Sequence, residues 1–292
     1  MIRWWVATVL TAVVVVVGLA TQSRDDADPP STRRTTLVAS PSASPSAEVS
    51  PTPSPSAARA PVPRPEDRAC YRLSFGEALS PVTQVPASSC ERRHTARTLF
   101  VGTVGDLEGR IGAIDSPRVQ TAVAADCPRR MSTFLGGPDQ ALRLSMFRPI
   151  WFTPTLAQAE AGEDWYRCDV IALAGEGELI PLEGRLEGLL GRLGWKERYG
   201  LCGTAEPGTP GFAHVSCARG GGWRALSTVP IAGERYPGEV TVRTLGDGPC
   251  TAAARAVAPD PLDFQWGYEW PTLEQWRAGR RYGVCWAPAA SR

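Results

Sequence analysis

Lysine is almost missing from this 292-residue chain: Lys196 is the single one among 31 basic residues, and all the others are arginine. Histidine is nearly as scarce, with only His94 and His214. Net charge is +1, so no strong field points toward nucleic acid or an anionic surface. No cysteine precedes Cys70, and no two cysteines are separated by only two residues. That excludes zinc-ribbon spacing. No serine-nucleophile motif, phosphate loop or dinucleotide fingerprint is present. Gly220-Gly221-Gly222 reads as a loop, because neither a lysine nor a helix start follows it. No cofactor and no metal site is expected.

What is present is a stretch that occurs twice. Residues 154–168 and 271–285 align without a gap, with seven identities in fifteen positions. The shared residues are Pro154-Thr155-Leu156, Gln158, Ala161-Gly162 and Cys168 in one copy. In the other they are Pro271-Thr272-Leu273, Gln275, Ala278-Gly279 and Cys285. Internal similarity of this kind fixes architecture before any single element does. Each copy reads as a short helix feeding a strand, with proline at the first helical position and glycine as the stop. Thr153 is the expected cap of the first copy, and Trp270 in the same place cannot cap the second.

Eight cysteines fall into two sets of four: Cys70, Cys90, Cys127 and Cys168, then Cys202, Cys217, Cys250 and Cys285. An even number in an exported chain reads as a disulfide framework. Residues 4–20 support export, being seventeen uncharged residues after Arg3. That is near the minimum of roughly 17–25 residues for a spanning helix. The expectation for 1–20 is a single-pass membrane anchor with everything after it extracytoplasmic. The alternative is a cleaved signal and a secreted protein. Residues 21–66 are rich in Ser, Pro, Ala and Thr and poor in large apolar side chains. They read as a disordered, extended spacer of at most ~3.1 Å per residue.

The folded part is expected as two α+β units, 67–180 and 197–288, joined by a connector at 181–196. Unit one reads as strand, strand, helix, short helix, strand. Its opening strand is Tyr71–Phe75 and its clearest strand Thr95–Val104. Ser116-Pro117 starts a helix that carries Val119, Val123, Cys127 and Met131 on one stripe and ends at Gly136-Gly137-Pro138. In unit two, Trp223–Ile231 matches the clear strand. Val240–Val257 should be the helix, but Gly246, Gly248 and Pro249 break it by local rules. Leu182, Leu186, Leu189 and Leu193 suggest an amphipathic turn or two in the connector. The fourfold cysteine order favours Cys70–Cys90, Cys127–Cys168, Cys202–Cys217 and Cys250–Cys285, although four cysteines allow three pairings in each unit.

These residues resemble a known family. The order Cys70-Tyr71, Cys90 with His94-Thr95, Cys127, and Pro154 through Cys168 is similar to the septum-formation domain of actinobacterial envelope proteins. Cys202, His214 with Cys217, Cys250, and Pro271 through Cys285-Trp286 repeat it. His94 follows its cysteine whereas His214 precedes its own, so the histidines are not equivalent. The resemblance implies a role at the septum or envelope and brings no catalytic residue with it.

A Cys–His nucleophile pair would need a free thiol and an orienting group, which bridged cysteines deny. Glu163-Asp164 could serve a carboxylate-dependent wall hydrolase or be a solvated turn. Trp266, Tyr268, Trp270, Trp276, Tyr282 and Trp286 crowd the last unit. The first four, Trp266, Tyr268, Trp270 and Trp276, are candidates for a face that stacks on sugar or peptide. The competing reading makes them core of a small domain, and exposure decides between the two. The expected function is a membrane-anchored, non-catalytic binding or scaffolding protein. Its partners would be wall polymer or division proteins, and no nucleic acid.

Overall fold

Strand β4 (Trp165–Gly175) is buried on both faces along nearly its whole length, as an interior strand covered on both sides must be, and it carries two charged residues, Arg167 and Asp169, that pair with each other. Our computed structural model describes residues 64–108 and 113–289. The anchor or signal expected at 1–20 and nearly all of the spacer expected at 21–66 lie outside the described residues. Among the described residues, no helix is long and apolar enough to cross a membrane.

The fold is α+β with two antiparallel sheets. In the first, β1 (Cys70–Tyr71), β2 (Ala96–Thr103), β4 and β3 (Phe147–Phe152) lie in that spatial order. The short β5 (Glu178–Leu179) pairs back on β4. The second sheet contains β6 (Leu201–Gly203), β7 (His214–Ser216), β8 (Trp223–Pro230), β9 (Gly267–Glu269) and β10 (Tyr282–Pro288), in the spatial order β7-β6-β8-β10-β9. Setting β7 and β5 aside, both sheets place the first, second, last and third strands of their chain segment side by side in that order.

The helices are short except one. Ser74 forms a full capping box with Glu77 over α1 (Phe75–Ala78). Helix α2 (Val104–Glu108) follows β2 directly. Ser116 caps α3 (Pro117–Leu135), whose stripe Val119, Val123, Cys127, Met131 and Leu135 is buried. It stops at Gly136 and Gly137, both at positive φ. Then follow α4 (Asp139–Arg143), α5 (Leu156–Glu160), α6 (Trp195–Tyr199), α7 (Glu239–Thr244), α8 (Asp247–Val257) and α9 (Leu273–Arg277).

Several expectations are corrected. The opening strand is only Cys70–Tyr71, because Ser74 turns the chain into α1. The proline of the repeated stretch is not the first helical residue, and Thr153 is not a cap. Thr155 and Thr272 cap α5 and α9, each in a reciprocal box with Gln158 or Gln275. This is the Thr-x-x-Gln signature, legible in both copies. Val240–Val257 is two helices, α7 and α8, separated at Leu245-Gly246. The leucines of 181–196 form no α-helical turn; Leu189–Gly191 is a 3-10 turn, and Leu193 is fully exposed. Strand β3 was not expected, since Pro149 sits inside it; β3 lies on the sheet edge, where a missing N–H is tolerated.

The four disulfides join Cys70 to Cys90, Cys127 to Cys168, Cys202 to Cys217 and Cys250 to Cys285. The second pins α3 to β4 and the fourth pins α8 to β10. One large core is shared by both halves: Met131, Leu135, Phe147, Val170 and Ala172 pack with Leu201, Ala225, Val284 and Trp286. Leu182, Leu186, Leu190, Trp195 and Tyr199 also enter it, so residues 181–196 thread the core. The backbones interlock as well. Met146 N–H donates to the Tyr199 carbonyl at 2.8 Å, and Leu201 N–H donates to the Leu144 carbonyl at 2.9 Å.

Candidate functional site

The aromatic residues of the last segment divide. Tyr268 is buried and clamped between two glycines. A Cβ at Gly246 would lie 2.2 Å from its ring, and one at Gly283 would lie 2.3 Å away. Burial pushes its phenol up to about 12 against the opposing charge of Arg280. Trp276 is buried with Ile231 and Val242, and Arg281 covers its ring at 3.9 Å. Trp286 is 0% exposed, stacked on His214 and met edge-on by Phe212. Tyr268 and Trp276 therefore belong to the core, and the four-ring binding face does not form. Trp270 is half-buried beside Tyr268 and under Arg243. Trp266 is half-buried and opens onto a cleft.

That cleft has a volume of ≈ 290 Å³ and is lined by Glu206, Trp223, Phe264, Gln265 and Trp266. Trp223 begins β8, opposite Gly203 of β6 and Pro288 of β10. Phe264, Gln265 and Trp266 come from the loop that leads into β9. Arg255 of α8 lies over Phe264 at 5.2 Å. Glu206 lies on the loop between β6 and β7. The Thr209 N–H and hydroxyl both donate to the Glu206 carbonyl, at 3.1 and 2.6 Å. Thr204 braces the same loop, its hydroxyl donating to the Gly211 carbonyl and accepting from Ala213 N–H. The loop approaches the strand closely at one point: a Cβ on Gly267 would meet Pro207 at 2.9 Å and Trp223 at 3.4 Å. The Glu206 carboxylate is exposed and makes no ion pair among the described residues. Trp223 and Phe264 were not singled out from the sequence; only their shared aromatic type with Trp266 could have flagged them.

A second depression, of ≈ 550 Å³, lies beside the first disulfide and carries Arg92, Arg93, Arg198, Glu91, Glu183 and His94. Arg198 is engaged by Glu183 at 2.6 Å and by the Pro181 carbonyl at 3.1 Å. His94 is 5% exposed, with Nδ1 2.9 Å from the Arg92 carbonyl oxygen. Its backbone carbonyl accepts from Leu182 N–H, so His94 is a structural turn residue beside a disulfide.

Three polar clusters hold the carboxylates of Glu269, Asp169 and Asp126. His214 Nε2 and Glu269 Oε2 lie 2.9 Å apart, and Arg280 reaches the other Glu269 oxygen at 2.8 Å. Burial alone would raise the Glu269 carboxyl, but His214 and Arg280 outweigh it and hold it at about 2. Arg167 and Asp169, at i and i+2 on one face of β4, pair at 2.9 Å with side chains 3% and 0% exposed. Thr98 donates to Asp169 at 2.8 Å, and the Tyr71 and Phe152 rings cover the guanidinium. Burial pushes the Asp169 carboxyl up against the pull of Arg167 and Thr98. In the third cluster, the Tyr166 hydroxyl donates to Asp126 at 2.8 Å, with Arg129 and Arg130 on the same carboxylate. Burial opposes ionisation of Asp126, and these donors overcome it and lower its pKa. Each cluster ties one element to another, and none opens onto either depression. Asp164, of the acidic pair noted above, receives Val104 N–H at its carbonyl and faces Arg64.

All eight cysteines are bridged, and no group of three or more His, Cys, Asp or Glu that could hold a metal occurs among the described residues. No curated protein and no solved structure matches the chain. The family model described as "Septum formation" matches residues 67–285. That span takes in the first sheet, all of the second but the last three residues of β10, all four disulfides and both depressions, so the chain belongs to the septum-formation family, which associates it with cell division and the envelope.

Proposed function

We propose that residues 67–288 form an exported module that acts at the division septum by binding, without catalysis. In this reading residues 1–20 anchor the chain in the membrane and 21–66 hold the module away from it. The four disulfides support export, since such bonds persist in oxidising compartments. The two halves are read as copies of one unit: they share strand order, the Thr-x-x-Gln capping box and a disulfide from a helix to the closing strand.

One observation carries the reading of the aromatic cleft as a binding site. The aromatic cleft is lined by a single carboxylate, Glu206, and by no histidine. Glycoside hydrolysis by the common routes needs two carboxyl groups roughly 5–9.5 Å apart across the scissile bond. A cleft with rings, one acceptor and one amide is suited to holding a ligand.

The test is localisation of the full-length protein, fluorescently tagged, in dividing cells, with labelling by a membrane-impermeant amine or carboxyl reagent. Enrichment at the septum and labelling from outside are expected. A uniform or cytoplasmic signal, or protection from the reagent in intact cells, would contradict the proposal.

A further inference from the structure

We infer that the cleft of Glu206, Trp223, Phe264, Gln265 and Trp266 is a binding site for a neutral polysaccharide chain. This rests on the proposed binding role and names the ligand class. The half-buried rings of Trp223, Phe264 and Trp266 offer apolar faces that suit the C–H faces of a pyranose ring, with their indole and benzene area only partly spent on the core. The two remaining lining groups are polar. The Glu206 carboxylate can accept hydroxyl or amide protons, and the Gln265 amide can both donate and accept. A ligand for this cleft must therefore combine an apolar face with hydrogen-bond donors at its edge, which is the chemistry of a sugar ring.

The same inventory argues against other occupants. A proline-rich segment, including the chain's own residues 21–66, has few backbone N–H groups to satisfy Glu206. A nucleic acid would bring phosphates against that carboxylate, and no arginine or lysine lines the cleft to offset them. The size fits one or two sugar rings, since ≈ 290 Å³ is at the low end of about 300–1,000 Å³ for small-molecule sites. The walls are preorganised. Thr204 and Thr209 fix the Glu206 loop from within, and Gly267 lets Pro207 and Trp223 close up on the strand. A braced loop loses little freedom on binding.

The experiment titrates the disulfide-intact, full-length protein in detergent with a β-1,4-linked N-acetylglucosamine tetramer, following tryptophan fluorescence. Saturable binding is expected. Glu206→Ala, on an exposed loop, should weaken it about tenfold, the size of one hydrogen bond to a charged group. Trp266→Ala should weaken it by a comparable factor, with the unfolding midpoint of each variant recorded alongside. Absence of binding by the intact protein would overturn the inference. So would affinity unchanged in Glu206→Ala, or full competition by a proline-rich or cationic peptide. These results stand apart from the septal reading: septal enrichment without tetramer binding removes the sugar ligand and keeps the septal role, whereas tetramer binding with a diffuse signal does the reverse.

Discussion

His214 and Glu269 meet at 2.9 Å although they lie on β7 and β9, the two opposite edges of the second sheet. Fifty-five residues separate them in sequence, and Arg280, from the turn after α9, completes the group at 2.8 Å. The sheet curls so that its edge strands share one carboxylate. A carboxyl whose folded pKa lies below its unfolded value stabilises the fold above the unfolded value, and that contribution fades as pH falls through the folded one. For Glu269 the window runs from its ordinary 4.5 down to about 2. Glu269→Gln should cost on the order of 3 kcal/mol at pH 7, and the gap to the parent protein should narrow as pH drops below 4.5. Urea unfolding across that range measures it. A gap that stays constant would mean that His214 and Arg280 do not hold the charge.

The disulfides should differ in how readily they are reduced. Cys90 is exposed, whereas Cys127, Cys168, Cys250 and Cys285 are all 0% exposed. Stepwise dithiothreitol treatment with alkylation and mass mapping should open Cys70–Cys90 first. Replacing Cys127 and Cys168 together by alanine should cost about 4 kcal/mol, as the chain-entropy model gives for a loop of 41 residues. If Cys127–Cys168 is alkylated before Cys90, the packing of α3 on β4 is looser than described.

The Arg167–Asp169 pair is enclosed beneath Tyr71 and Phe152. Removing either partner leaves an uncompensated buried group, so Asp169→Asn or Arg167→Met should each cost about 3–5 kcal/mol. The double variant Arg167→Met/Asp169→Asn should be less destabilised than the sum of the two singles. Thermal unfolding of the four proteins closes the cycle, and strict additivity would show that the pair is not coupled.

Thr155 and Thr272 make the same capping box. Thr155→Ala and Thr272→Ala should each lose about 1 kcal/mol and by similar amounts. A large disparity, read from denaturation midpoints, would separate the two stretches that the sequence aligns.

Much of this fold was legible. The helix from Ser116, the strand around Thr95–Val104 and the closing strands follow from caps, β-branched residues and turn glycines. What was not legible depends on distant partners. β3 carries Pro149, which reads as a breaker until the strand is seen to lie on an edge. β9 has three residues, too few for any periodic signal. Tyr268 looked like a ligand-stacking ring, yet Gly246 and Gly283 exist to admit it into the core. The candidate site was half legible: Trp266 stood out by its neighbours, while Trp223 and Glu206 join it only through a sheet crossing and a hairpin loop.

The most direct test of the central claim is rescue of division in cells lacking the gene, using full-length variants with confirmed disulfides. A variant carrying both His94→Asn and His214→Gln removes the two side chains best suited to acid–base work near neutral pH; provided it folds, it should restore division. Trp266→Ala, which removes a wall of the cleft, should not. Rescue by Trp266→Ala together with complete failure of a folded histidine variant would contradict binding as the function and favour catalysis.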